Sequence, residues 1–311
     1  MIGKCLVLGG GGFIGSNLVE GLLKFGYDVR VFDIKNFSKK NIQEFENRIE
    51  IVEGDFGNPI DVQRALDGID YVYHLISTTI PSNSVLNPTY DIETNVLPTI
   101  NLLQYCATSK IKKIVYISSG GTVYGIPEKV PIAEGHNCNP ISSYGIVKRT
   151  IESYFQLYKK NWGVDCCVFR LSNPYGERQN PTNVQGAMAV FSYKSIKNFD
   201  IEIWGDGEVI RDYIYIGDVV SALIKAISIE TPEVIYNLGS GEGKSINDIL
   251  NLIRLYFNPQ LKVKYLEARN FDVPVNILNI SLLRKRFQWE PEMKLDQGIK
   301  LLYNHINAHN G

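Results

Sequence analysis

A chain of 311 residues, 44% of them hydrophobic and 21% charged, can bury a large core, and its length fits two lobes with a cleft between them. The net charge of -1 and the lack of any lysine- or arginine-rich run exclude an electrostatic track for nucleic acid, so an anionic substrate must be met by individually placed basic residues. No apolar stretch approaches the ~18 residues of a membrane span, which gives the expectation of a cytoplasmic protein with no membrane partner.

The first half alternates short apolar runs with amphipathic ones. "KCLVLG" is followed by a helix from about Ile14 to Lys24, then by "DVRVFD", "IEIVEGD", "DYVYHLI" and "KKIVYIS". Strands that alternate with helices predict an α/β fold, a Rossmann-type doubly wound parallel sheet. Residues Tyr90 to Ser109 carry apolar positions at helical spacing, and so do Ser142 to Asn161, which open with serines suited to cap a helix. "VDCCVFRL" adds another strand. Beyond Asn173 the chain turns to Asn-, Pro- and Gly-rich loops and short strands such as "IEIW", "VIYNLG" and "KVKYLE". This predicts a dinucleotide-binding domain over 1–172 and a smaller C-terminal α/β substrate lobe over 173–311, partly interleaved. Five scattered cysteines, mostly within apolar segments, read as small hydrophobes, and four histidines without ligand spacing argue against a metal site.

"VLGGGGFIG" sets Gly9, Gly12 and Gly15 between the first strand and the first helix. Glycines there let backbone N–H groups approach a pyrophosphate at the positive end of the helix. Asp33 ends the second strand about 18 positions after Gly15, where a carboxylate accepts from the adenosine ribose hydroxyls and repels a 2'-phosphate. NAD is therefore expected over NADP. "YGIVK" places Tyr144 and Lys148 on one helix face. A free phenol titrates near ~10, so a neutral-pH base needs ~4 kcal/mol of phenolate stabilisation. A lysine ~4 Å away supplies about that much at an effective dielectric of 20, so the pair is expected to suffice.

With these residues in order, the chain resembles the extended short-chain dehydrogenase/reductase superfamily, and within it the NAD-dependent epimerase/dehydratase family with its nucleotide-sugar 4-epimerases. The motifs are "GGGGFIG", Asp33, "GDF", "YHLIS", Asn95, "SSGGTVYG", "YGIVK" and "RLSNPYGERQ". The resemblance implies an NAD site made by Gly9, Gly12, Phe13, Ile14, Gly15, Asp33, Asp55, Phe56, Leu75, Ser77, Asn95, Ser118, Tyr144 and Lys148. It implies catalysis by Tyr144 and Lys148 with a hydroxyl from the "SSGGT" loop. For a UDP-sugar it implies Thr79, Ser119, Tyr144, Asn173, Arg211, Arg269, Asp272 and Asn276, with Arg211 and Arg269 at the diphosphate and Asn276 setting room for the sugar 2-substituent. It also implies a homodimer joined through the helices near Tyr90–Ser109 and Ser142–Asn161.

The chain departs from the family pattern in several places. Pro98 replaces a usual glycine and is expected to shift its helix. "STTIPSNS", from Ser77 to Ser84, is hydroxyl-rich where the sugar is bordered, and Gly121 and Thr122 stand where dehydratases place an acid pair, which disfavours 4,6-dehydration. Gly120 occupies the usual site of the assisting hydroxyl, so that role falls to Ser119 or Thr122, with Ser119 preferred because the glycines free the backbone to present it. Ser118 is expected to finish the strand, and Tyr124 to pack beneath the nicotinamide. The expected activity is a 4-epimerase of a UDP-hexose working through a transient 4-keto sugar. The alternatives are a nucleotide-sugar 4-ketoreductase or dehydrogenase with net cofactor turnover and, further off, a non-catalytic NAD-binding sensor.

Overall fold

The computed structural model describes residues 2–81, 84–182, 186–268 and 273–310. In chain order the first lobe contains β1 (Lys4–Leu8), α1 (Phe13–Lys24), β2 (Asp28–Asp33), β3 (Glu50–Glu53), α2 (Pro59–Leu66) and β4 (Tyr71–His74). It continues with α3 (Pro88–Asp91), α4 (Leu97–Thr108), β5 (Lys113–Ser119), α5 (Ser143–Trp162) and β6 (Cys166–Leu171). After it come β7 (Asn173–Tyr175), α6 (Ala187–Ile196), β8 (Ile201–Trp204), β9 (Ile210–Tyr215), α7 (Ile216–Ala226) and β10 (Ile235–Leu238). The chain closes with β11 (Gly243–Ser245), α8 (Ile246–Tyr256), β12 (Val263–Leu266), β13 (Val275–Asn276), α9 (Ser281–Phe287) and α10 (Leu295–Asn310).

A seven-stranded parallel sheet runs β3-β2-β1-β4-β5-β6-β10, with the strand order reversing between β1 and β4. In such sheets ligands bind at the carboxyl ends of the strands beside that reversal, which here is where the glycine loop leaves β1. Its central strands are covered on both faces, and this is why "KIVYI" and "CCVFRL" read as continuous apolar runs. One core layer packs α1, α7 and α9 on the sheet, the other α2, α4 and α5. Each fully buried aliphatic side chain, such as Leu6, Leu8 or Val168, contributes about 2 kcal/mol. β10 comes from beyond residue 173 yet pairs with β6, and α7 packs on α1, so the lobes are interwoven. The second lobe has its own core and two small sheets, one of β11, β9, β13 and β7, the other of β12 and β8.

The helix expected over Tyr90–Ser109 forms, capped by Asn87 and carried from α3 into α4 with helical backbone throughout, but it widens into a π turn over Ile92–Val96. Pro98 explains the wide turn, because it lacks an N–H and its ring clashes with the carbonyl one turn back, which the wider spacing relieves. The wide turn leaves both Asp91 and Asn95 buried. α5 starts where expected, with Ser142 Oγ accepting from Gly145 N at 3.2 Å, and stops at Gly163 with φ of 68°.

Cys5, Cys106, Cys166 and Cys167 are buried, and burial pushes the thiols of Cys106 and Cys166 up to about 12. They pack as protonated hydrophobes. Among the described residues no cluster of side chains could hold a metal, and no helix is long and apolar enough to cross a membrane.

Candidate active site

The loop after β1 is shaped by contacts that exclude side chains. Gly9 has φ of 83°, and Gly12 N donates to its carbonyl at 3.2 Å. A Cβ on Gly15 would collide with the Gly9 carbonyl oxygen. Gly12 caps α1 without a side chain, so no capping group occupies the space in front of Phe13 and Ile14. Asp33 sits across the loop, with Oδ2 accepting from Gly11 N and Oδ1 from Ile34 N, both at 2.9 Å. Burial raises its pKa and these two donors pull it back. A tight N-terminal cradle facing a carboxylate fits the pyrophosphate and ribose of NAD. Phe56 is buried with its ring 4.9 Å from the His74 ring, Leu75 N extends the ladder to Leu8 O, and Asp55 accepts from Gly57 N at the rim.

Tyr144 and Lys148 lie one turn apart on α5. Lys148 Nζ is 5.5 Å from the Tyr144 ring centroid and 4.8 Å from that of Tyr116, and donates to Ile117 O at 3.0 Å. The Ser77 hydroxyl lies near the Tyr144 phenol, and the Tyr144 main-chain N–H donates to Ser84 Oγ at 3.0 Å. Burial pushes the phenol up to about 12, Ser77 offsets part of this, and the Asp91 carboxylate adds to it. Burial likewise brings the Lys148 amine down to about 8, against the opposing pull of Asp91 and Glu152. Burial thus opposes a phenolate here, and a positive charge close to the phenol favours one; Lys148 lies close, with the buried carboxylates Asp91 and Glu152 sharing its field.

Beneath this pair lies a buried polar network. Ser118 Oγ donates to Glu152 Oε1 at 2.6 Å, and Arg170 grips the same carboxylate through Nε at 3.0 Å and Nη2 at 2.7 Å. Arg170 Nη1 also donates to Tyr124 OH at 2.9 Å, and Tyr124 donates to Asn237 Oδ1 at 2.6 Å. Tyr124 is thus fully buried in a core with Val123, Ile132, Leu278 and Ile280, and its hydroxyl is used within the network.

A cavity of about 870 Å³ opens between the lobes. Ser119, Thr122 and Tyr144 line it from the first lobe, Asn173, Arg211 and Tyr213 from the second. Asn173 Nδ2 donates to Asp212 O at 3.1 Å, and Arg211 Nη1 to Val273 O at 2.6 Å, so both side chains are held at the cavity wall. Thr122, Ser172 and Gln179 belong to this wall, and their Oγ1, Oγ and Oε1 atoms are buried without a hydrogen-bond partner among the described residues.

Two expected substrate residues lie elsewhere. Thr79 is buried and donates to Asp91 Oδ1 at 2.7 Å, and Asn276 is 1% exposed and donates to Gly120 O at 3.1 Å, pinning the glycine loop from behind. Neither lines the cavity. Asn95, expected at the cofactor, is bound to Thr78 and Asp91. Arg269 and Asp272 fall outside the described residues. Sequence reasoning missed Asp91, Glu152 and Arg170. Arg170 within "CCVFRL" was the visible signal, since a charge in a strand buried on both faces needs a partner.

A dinucleotide cradle, a tyrosine–lysine pair and a polar cavity between two lobes together define an enzyme of the short-chain dehydrogenase/reductase type. The family model for the NAD dependent epimerase/dehydratase family matches residues 5–239. A Methanocaldococcus jannaschii protein provisionally named UDP-glucose 4-epimerase is 36% identical over 306 residues, covering 98% of this chain and 99% of the relative. The crystal structure of UDP-glucose 4-epimerase from Thermotoga maritima with UDP-glucose superposes with a TM-score of 0.93 at 31% identity, covering 99% of this chain and 100% of that one. UDP-glucuronic acid 4-epimerase from Bacillus cereus, in complex with UDP-glucuronic acid and NAD, gives 0.88 at 28% identity over 98% and 99% of the two chains. The chain belongs to the NAD dependent epimerase/dehydratase family.

Proposed function

We propose that the protein is an NAD-dependent 4-epimerase of a UDP-hexose. The observation that carries this reading is the placement of Tyr144, backed by Lys148, on the wall of the 870 Å³ cavity, while the loop facing it offers hydroxyls and no acid pair. A single base without a partner acid suits reversible oxidation at one carbon and does not suit loss of water.

Bound NAD supplies a hydride acceptor that later returns the hydride. Tyr144 takes the proton of the sugar 4-hydroxyl and later gives it back, while Lys148 steadies the phenolate. Ser119, at the end of β5 on the cavity wall, hydrogen-bonds the same oxygen. Gly9, Gly12 and Gly15 admit the pyrophosphate of the cofactor, and Asp33 accepts from its ribose. Arg211 and Asn173 hold the diphosphate of the sugar nucleotide, as the resemblance implies also for Arg269. Between these fixed ends the keto sugar turns and presents its other face. Exposed Ile92 and Leu97, with Ile146 on the neighbouring α5, support a homodimer through these helices.

Purified protein incubated separately with UDP-glucose, UDP-N-acetylglucosamine and UDP-glucuronic acid tests the reading. At least one is expected to give its C4 epimer without external cofactor consumption. Continuous formation or consumption of NADH in place of an epimer would assign the protein to the ketoreductase or dehydrogenase class.

A further inference from the structure

One fully buried carboxylate lies beside the reacting pair with no role in the proton transfer itself. Asp91, at the end of α3, accepts hydrogen bonds from three separate segments. Thr79 Oγ1 at 2.7 Å and Asn95 Nδ2 at 3.0 Å reach its Oδ1, and Ser143 Oγ at 3.0 Å reaches its Oδ2. Each donor leads to Tyr144. Thr79 shares a loop with Ser77, whose hydroxyl lies near the phenol and donates to Thr79 O at 3.2 Å. Ser143 directly precedes Tyr144 in the first turn of α5. Asn95 fixes the main chain of Thr78 through Oδ1 at 3.1 Å. A buried carboxylate costs several kcal/mol if left unpaired, and three donors plus the N-terminal end of α5 compensate it here.

The ionisable groups packed around the pair come from five elements. Asp91 belongs to α3, Lys148 and Glu152 to α5, Arg170 to β6, His74 to β4 and Tyr116 to β5. Burial holds the His74 imidazole down at about 3 and the Tyr116 phenol well above its ordinary value, so neither carries charge at neutral pH. Asp91 and Glu152 then stand against the buried Lys148 and Arg170, and half-exposed Arg149 adds a third cation with its Nη1 3.4 Å from Glu152 Oε2.

We infer that Asp91 is a positioning residue, fastening the Ser77 loop, the Asn95 turn and the first turn of α5 to one point so that Tyr144 is aimed and the field of Lys148 is balanced. The consequence is that the phenol keeps its proton until the charge of the oxidised cofactor is added, which ties base strength to the cofactor's oxidation state. The inference rests on Tyr144 as the base proposed above.

Two substitutions separate geometry from charge. Asp91→Asn keeps the acceptor for Thr79 and Asn95 and removes the charge, while Asp91→Ala removes both. The Tyr144 phenolate is read by absorbance titration of the protein as purified, taken as the difference from its Tyr144→Phe variant. In Asp91→Asn this phenolate is expected to form at lower pH than in the parent. In Asp91→Ala kcat is expected to fall roughly tenfold or more with KM within about twofold, the signature of lost aim. Ser143→Ala, which cuts one tie and leaves the carboxylate its other donors, should lose kcat to a smaller degree and serves if Asp91→Ala does not fold. An unshifted phenolate in Asp91→Asn, or full kcat in Ser143→Ala and Asp91→Ala, would overturn the inference. Activity retained in Tyr144→Phe would instead overturn the base reading, so the two failures are distinguishable.

Discussion

On the α5 side of the cleft the polar groups are bound to one another. Asp91 and Glu152 each accept several hydrogen bonds, Lys148 holds the Ile117 carbonyl, and the Tyr144 phenol meets Ser77. On the cavity side, Thr122 Oγ1, Ser172 Oγ and Gln179 Oε1 have no hydrogen-bond partner among the described residues. The first side fixes the place where a proton moves to within the tolerance that proton transfer demands. The second is an open cavity lined by hydroxyl, amide and apolar side chains of both lobes, and it constrains less tightly what enters. An epimerase needs that asymmetry, because its intermediate must be presented from both faces to one stationary base.

Breaking the fixed side should cost most. Tyr144→Phe is expected to lower kcat about a thousandfold while the protein retains its cofactor, read by steady-state kinetics beside the absorbance of bound NAD. Gly15→Ala attacks the same side through the cofactor: its methyl meets the Gly9 carbonyl, and loss of copurified NAD with about 2 kcal/mol of destabilisation in denaturant unfolding is expected. On the permissive side, Arg211→Ala should raise KM for the UDP-sugar roughly tenfold to a hundredfold and change kcat less, because it removes a charge-assisted contact far from the reacting carbon.

Smaller effects sharpen the boundary between the two sides. Ser119→Ala should lower kcat about tenfold and Thr122→Val less, and the reverse order in parallel assays would move the assisting role to Thr122. The pH profile gives the finest test. The Lys148 ammonium, brought down to about 8 by burial, is lost as pH rises through that value. Since the charged form steadies the phenolate, kcat/KM should decline on the alkaline side near pH 8, and a profile flat to pH 10 would refute this role.

The features legible in the sequence depend on neighbours close along the chain. The glycine loop, Asp33 at the end of β2, the strands buried on both faces and the Tyr144–Lys148 spacing all follow from local pattern and period. What was not legible depends on long-range register. Asp91 meets Ser143 across 52 positions, and only after Pro98 has forced the π turn that leaves Asp91 and Asn95 buried together. Asn276 reaches Gly120 across 156 positions because β13 pairs with β9 and turns the side chain toward the back of the loop. Tyr124 likewise finds Asn237 and Arg170, which local spacing does not foretell.

The central claim is that one base and one retained cofactor oxidise and re-reduce the same sugar carbon. A UDP-hexose carrying deuterium at C4 tests it most directly. The expected product is the C4 epimer with its deuterium still at C4, formed with no net change in reduced cofactor. Loss of the label to solvent, or NADH formed in proportion to product, would contradict it.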